Sequence, residues 1–158
     1  MTLEARPVTR DTLWPLIGLT LRDDQRDLVA TNMQTFAEAA YEPGSVVWGL
    51  WDGDEPVGLM AMVDPDGVAR NGPFLLPGAA YLWRLMVAAD RQGRGYGGQA
   101  LRLAIATARG WGAGHLVVGV NDVAHGNRGF YESFGFVSSG VVEDGDLLLS
   151  LDLAPVQS

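Results

Sequence analysis

The chain contains no cysteine, no lysine and only two histidines, His115 and His125, among its 158 residues. Without cysteine there is no disulfide, no thiolate metal site and no cysteine nucleophile. Two histidines fall short of a multi-histidine site, so no metal is expected. No stretch approaches the ~20 apolar residues of a membrane span, and Met1 to Arg10 lacks the apolar run of a signal peptide. A cytoplasmic protein away from membranes is the expectation.

What is present points to one globular domain spanning 1–158, long enough to bury its own core. A net charge of −8 argues against nucleic acid as a partner, because phosphate contacts require basic surface. The charge is also unevenly spread. Residues 1–66 hold four arginines against twelve acids, whereas residues 84–128 hold six arginines against Asp90 and Asp122. The second segment suits an anionic ligand and the acidic remainder a cationic one. Scattered solvated charge is the plainer alternative.

The apolar pattern predicts an α/β fold with a mixed, mostly antiparallel sheet flanked by helices. Leu3 to Val8 reads as a strand, and Thr9 can cap the segment after it, where Pro15 leaves a helix or a break open. Residues 24–41 carry a helical rhythm through Leu28, Val29, Met33, Phe36, Ala37 and Ala40, ended by Pro43-Gly44. Runs 46–51 and 56–63 flank Asp52-Gly53-Asp54-Glu55, a hairpin signal. Residues 64–78 read as a loop and 79–87 as a strand. A long helical segment opens at 91–98 and stops at Gly110 and Gly112. Strand 115–120, helix 127–134 and a closing hairpin, 136–142 with 146–153 around Glu143-Asp144-Gly145, complete the chain.

The informative stretch is Leu85-Met86-Val87 followed by Gln92-Gly93-Arg94-Gly95-Tyr96-Gly97-Gly98. A strand enters a glycine-dense turn and a helix begins. A helix start leaves about four N–H groups unpaired, its dipole favours an anion, and glycine lets a ligand approach the main chain. Arg91 and Arg94 add positive charge. The combination predicts a pyrophosphate cradle. A P-loop is excluded by the missing lysine. A dinucleotide fingerprint fits poorly, since the turn lies past mid-chain and Trp111, Gly112 and Ala113 stand where its acid belongs. Coenzyme A is the ligand left.

Gln92-x-x-Gly95-x-Gly97, preceded by "YLWRLMV" (81–87) and followed by Tyr131-x-x-x-Gly135-Phe136, resembles the signature of the GCN5-related N-acetyltransferases, the GNAT family. The similarity covers nearly the whole chain. It implies acetyl-CoA as co-substrate, with residues 93–98 on the diphosphate and Leu85, Met86 and Val87 along the pantetheine arm. Val87 N–H would stabilise the oxyanion. Tyr131 would protonate the departing thiolate, unless it is simply core. The family's asparagine about seven residues before that tyrosine is Ala124 here. Asn121 and Asn127 flank it, and Asn127 is a candidate both for a helix cap and for a coenzyme contact. Strand 79–87 holds no acid to serve as base, which leaves Glu38, Glu42 or a water chain.

The segment 24–62 further resembles the bacterial spermine/spermidine acetyltransferase branch, matching at Gln25, Asn32, Glu38 and Tyr41. That implies direct attack by a small basic amine, a polyamine above others, in a ternary complex. An aminoglycoside, an amino acid or a protein N-terminus are the alternative acceptors, and a non-catalytic acyl-CoA-binding protein the alternative class. The closing hairpin and five tryptophans leave a homodimer open.

Overall fold

The computed structural model describes residues 2–26, 28–71 and 76–153. In chain order its elements are β1 (Leu3–Pro7), α1 (Arg10–Ile17), α2 (Asn32–Ala39), β2 (Ser45–Asp52), β3 (Glu55–Val63), α3 (Pro65–Asn71), β4 (Ala79–Val87), α4 (Tyr96–Gly110), β5 (His115–Val120), α5 (Arg128–Glu132), β6 (Val137–Glu143) and β7 (Asp146–Asp152). The strands form one seven-stranded sheet in the order β1-β2-β3-β4-β5-β7-β6. Only β4 and β5 run parallel; every other pair is antiparallel, as the sequence predicts.

Two tight turns set the hairpin registers. Asp52 opposes Glu55 across Gly53-Asp54, with Gly53 at φ 59°. Glu143 opposes Asp146 across Asp144 and Gly145, both left-handed at φ 49° and 84°, the Asp-Gly turn whose twist matches its strands.

One sheet face carries Met60, Met62, Leu82, Leu116, Val118 and Leu149 beneath Ala100, Leu101, Ala104 and Ala108 of α4. Small residues on the inner stripe of α4 let the helix lie close to these larger side chains. The opposite face is covered in two patches. Leu16 of α1 packs with Trp51, Leu59 and Met86, while Val68 of α3 packs with Val63, Ala79, Val117 and Leu148.

Two expectations are corrected. The stretch 64–78 is not all loop, because α3 occupies Pro65–Asn71; residues 72–75 of that stretch lie outside the described residues. Asp64 caps α3, accepting from Gly67 N at 2.8 Å, and Pro65 fills the first turn where no amide partner is needed. The expected helix over 24–41 is shorter. A 3₁₀ turn spans Asp23–Gln25, and α2 starts only at Asn32, where Thr31 Oγ1 accepts from Gln34 N at 3.2 Å.

Elsewhere the caps follow the sequence. The Thr9 amide donates to Thr12 Oγ1 at 2.9 Å at the start of α1, which contains Pro15. Helix α4 ends in a Schellman pair, Ala113 N to Ala108 O and Gly112 N to Arg109 O, with Gly112 at φ 76°. None of the described helices is long and apolar enough to cross a membrane.

Candidate active site

The site begins with the parting of β4 from β5. They pair only over Ala79–Leu82 with His115–Val118. A bulge in β4 then sets two residues, Trp83 and Arg84, against Ala61 of β3. Beyond it, Ala88 N donates to Val57 O at 2.8 Å, which fixes the phase of the antiparallel ladder. Hydrogen-bonded and non-bonded pairs alternate, so Val87 opposite Gly58, and Leu85 opposite Met60, turn their N–H and C=O groups away from β3. Those groups enter the gap that β5 has left. Met86, between them, is committed to the β3 ladder, and its side chain is buried against Leu16 and Leu59.

The glycine turn closes one end of the gap. Gly93 and Gly95 sit at φ 77° and 82°, and no atom lies within 4 Å of where a Cβ would stand on either. A left-handed conformation favours glycine, and the open space beside it is room for a ligand. Gly95 is the N-cap of α4 and offers no side chain to the first-turn amides, which leaves them for an acceptor from outside.

Tyr96 is buried and donates to Asp52 Oδ2 at 2.6 Å, anchoring the turn to the β2–β3 hairpin. Gln92 Nε2 donates to Val87 O at 3.0 Å and to Gln25 Oε1 at 2.7 Å, tying turn, strand and the 3₁₀ turn together. Gly97 and Gly98 lie 3.7 and 3.5 Å from the rings of Phe130 and Phe134 at their Cβ positions, so they seat α5 on α4.

The resulting cleft has a volume of about 290 Å³ and is lined by Gln25, Leu85, Met86, Val87, Gln92, Gly93, Gly95, Tyr96, Gly97, Asn127 and Tyr131, among others. Arg91 is the one charged wall residue among the described residues, and it also pairs with Glu55 at 2.9 Å. Arg94 is exposed and has no ion pair among the described residues. Asn127 stands at the N-cap of α5 yet makes no side-chain cap bond, so its amide faces the cleft uncommitted. Tyr131 is buried beside Phe130 and Phe136, with edge-on rings 5.2 and 5.5 Å away. Burial raises its phenol well above the ordinary tyrosine range.

The cleft continues into a cavity of about 370 Å³ that shares Leu28, Val29, Leu85, Asn127 and Tyr131 with it. Through Trp83, Arg84 and Asp146 this cavity opens in turn on a basin of about 840 Å³. Glu38, Tyr41, Glu42, Glu143, Asp144 and Asp146 line the basin, with Arg84 the only cation among the described residues there. Of the four acceptor residues expected from sequence, Glu38 and Tyr41 meet here. Gln25 belongs instead to the cleft. Asn32 joins neither, because its side chain is buried and its Nδ2 donates to Leu16 O at 2.8 Å.

Glu38, expected as a candidate base, is occupied: Arg84 Nη2 and Gln34 Nε2 each donate to it at 2.8 Å. Asp146, Glu143 and Asp144 escaped the sequence reading, since a polar Asp-Gly turn has the composition of any exposed hairpin. Burial, and then the neighbouring carboxylates, raise Glu143 above the usual range. Burial raises Asp146 too, against the opposing pull of Arg84. Tyr81, under the same acids, is pushed up to about 12, chiefly by burial. No group of three His, Asp or Glu among the described residues is arranged to hold a metal.

A sequence model of the Acetyltransferase (GNAT) family matches residues 13–136. No curated protein sequence matches the chain. Among solved structures, a Bacillus subtilis acetyltransferase in complex with CoA is 18% identical, aligns over 96% of this chain and 97% of its own, and has a TM-score of 0.66. An acetyltransferase from Thermus thermophilus is 26% identical over 95% of each chain, with a TM-score of 0.62. The ribosomal-protein-S18-alanine N-acetyltransferase of Escherichia coli is 16% identical, covering 99% of this chain and 97% of its own at a TM-score of 0.68.

Proposed function

The chain belongs to the acetyltransferase (GNAT) family, and from that premise we propose how it works as an acetyl-CoA-dependent N-acetyltransferase: it acetylates a cationic primary amine, a polyamine such as spermidine or spermine above others. One observation carries the reading. A cleft walled by glycine main chain, with no carboxylate among the described residues, leads past Tyr131 through a shared cavity to a basin lined by five carboxylates. The first suits a diphosphate and the second an ammonium.

The cleft has room and main-chain donors for the coenzyme's diphosphate. The space at Gly93 and Gly95 would be filled by any side chain, and the amides that open α4 have no internal acceptor. In this reading the main-chain N–H groups of residues 93–98 hold the diphosphate. Leu85 and Val87, whose polar groups face the gap, run along the pantetheine arm with Asn127 across from them. Acetyl-CoA supplies an activated acyl carbon and a thiolate leaving group. In this reading Val87 N–H donates to the developing oxyanion, a contribution of a few kcal/mol in enzymes that use one. Tyr131, held protonated by its burial, supplies the proton for the thiolate.

The acceptor enters through the basin. A polyamine extends several ångströms between charges, so one ammonium can rest among Glu42, Glu143 and Asp144 while another amine approaches Tyr131. Thiol release measured over a panel of amines tests this: spermidine, spermine, an aminoglycoside, free amino acids and a peptide α-amine. The expected result is the highest kcat/KM with a polyamine. Background rates with spermidine and spermine, while another amine reacts, would overturn the acceptor assignment. A preferred peptide α-amine would place the acceptor nearer that of the Escherichia coli neighbour.

A further inference from the structure

The reaction needs a free amine lone pair, yet an alkylammonium with a pKa of about 10.4 has none at neutral pH. Some group must take its proton inside the cavity where Tyr131 and Leu85 meet. Asp146 is the only carboxylate among the described residues lining that cavity. It also lines the basin, so an ammonium arriving from the acidic side reaches it before the thioester end.

The local fold delivers the side chain there. Asp146 opens β7, directly after the Asp144-Gly145 turn, on the strand pressed against β5. Beside it β5 carries Gly119, where a Cβ would stand 3.5 Å from Asp146 Oδ2 and 3.3 Å from Tyr81 Oη. The missing side chain gives the carboxylate its place over the strand. Among the described residues the Asp146 carboxylate accepts no hydrogen bond and makes no ion pair; Arg84, which lines the same cavity, donates to Glu38 instead.

We propose that Asp146 is the general base that takes the proton from the incoming ammonium. The inference rests on the acetyltransfer reading above and adds to it the residue that activates the nucleophile. The proton passes from R–NH3⁺ to the Asp146 carboxylate, directly or through one water, leaving R–NH2. Its lone pair forms the C–N bond to the acetyl carbon as the carbonyl π pair moves to oxygen. Return of that pair breaks the C–S bond, and the thiolate takes the Tyr131 proton. The second nitrogen proton then leaves to restore Tyr131, so the products are R–NH–acetyl, CoA-SH and the one H⁺ held on Asp146.

The groups facing Asp146 are Tyr81 and Arg84 from β4, Glu38 and Glu42 from α2 and the turn after it, Arg26 across the cavity, and Glu143 and Asp144 from the hairpin. Burial raises the Asp146 carboxyl, which brings it closer to the amine and makes it a stronger base than a solvated aspartate.

The experiment measures kcat and KM against pH for wild type, Asp146→Asn and Glu143→Gln, with spermidine and with n-butylamine at high concentration. Acetyl-CoA affinity is measured calorimetrically for each. For Asp146→Asn, kcat should fall about 100-fold near neutrality with both amines, within the range of a lost general base. Its rate should then climb steadily with pH toward the amine's own pKa, and its acetyl-CoA affinity should stay within about twofold of wild type. Glu143→Gln should raise KM for spermidine more than for n-butylamine, without the steady climb of rate with pH expected for Asp146→Asn. A wild-type kcat and pH profile in Asp146→Asn would overturn the assignment, as would a loss explained by weaker acetyl-CoA binding. Wild-type enzyme releasing no thiol with either amine would overturn the polyamine reading, and this inference with it.

Discussion

The cleft and the basin lie on either side of the cavity that Tyr131 lines, and their walls differ in the features that matter for a charged ligand. Among the described residues the cleft offers main-chain N–H groups, glycines and one arginine, with no carboxylate. The basin beyond offers five carboxylates against one arginine. A net charge of −8 gives no hint of this division, because the sum hides two local fields of opposite sign. The sheet creates the division. Where β4 and β5 part, the cleft end is built from α4 and its glycine turn, and the basin end from α2 and the β6–β7 turn.

The comparison is broken most severely at the residue between the two sides. Tyr131→Phe should lower kcat by about 100-fold, the scale of a lost general acid, while acetyl-CoA affinity changes little. Unchanged turnover would hand the proton to water.

Next comes the cleft wall. Gly95→Ala places a Cβ in the open cradle at φ 82°, a strain of roughly 1–2 kcal/mol. Acetyl-CoA should bind about tenfold or more weakly, and the melting temperature should fall by a few degrees. Unaltered affinity would mean that the turn is not the anion site.

The basin should respond more gently and only to charge. Glu42→Gln should raise KM for a polyamine several-fold, and added salt should narrow its difference from wild type. An equal change for a neutral-tailed amine would point to lost packing instead.

The smallest effect concerns stability. Asp146 and Glu143 titrate above their ordinary ranges when folded. The unfolded chain therefore loses these protons first. The stability linked to them is present below their unfolded pKa values of about 4 and is lost as pH rises through the folded values. Removing the charge should help at neutral pH. Asp146→Asn should melt slightly above wild type at about pH 7 and show no advantage near about pH 3, while being the slower enzyme. Scanning calorimetry at the two pH values checks the sign.

Much of this was legible in the sequence because it is written locally. Alternating apolar residues mark the strands, Asp-Gly pairs mark the hairpins, and Gln92 to Gly98 announce a ligand-facing helix start. Helix α3 was missed because Pro, Gly and Asp crowd its first turn, although Asp64-Pro65 is itself a cap followed by a first-turn proline. Asn32 looked like an acceptor contact, yet burial commits its amide to Leu16 O. Asp146 was invisible for a different reason. Its role depends on the register of β7 against β5 and on a missing side chain at Gly119, and neither is encoded near residue 146.

A crystal structure with acetyl-CoA decides whether the glycine turn is the anion site. The diphosphate oxygens should lie within hydrogen-bond distance of main-chain N–H groups in residues 93–98, with the acetyl group beside Val87 and Tyr131. Coenzyme bound elsewhere, with that turn free of phosphate, would contradict the account.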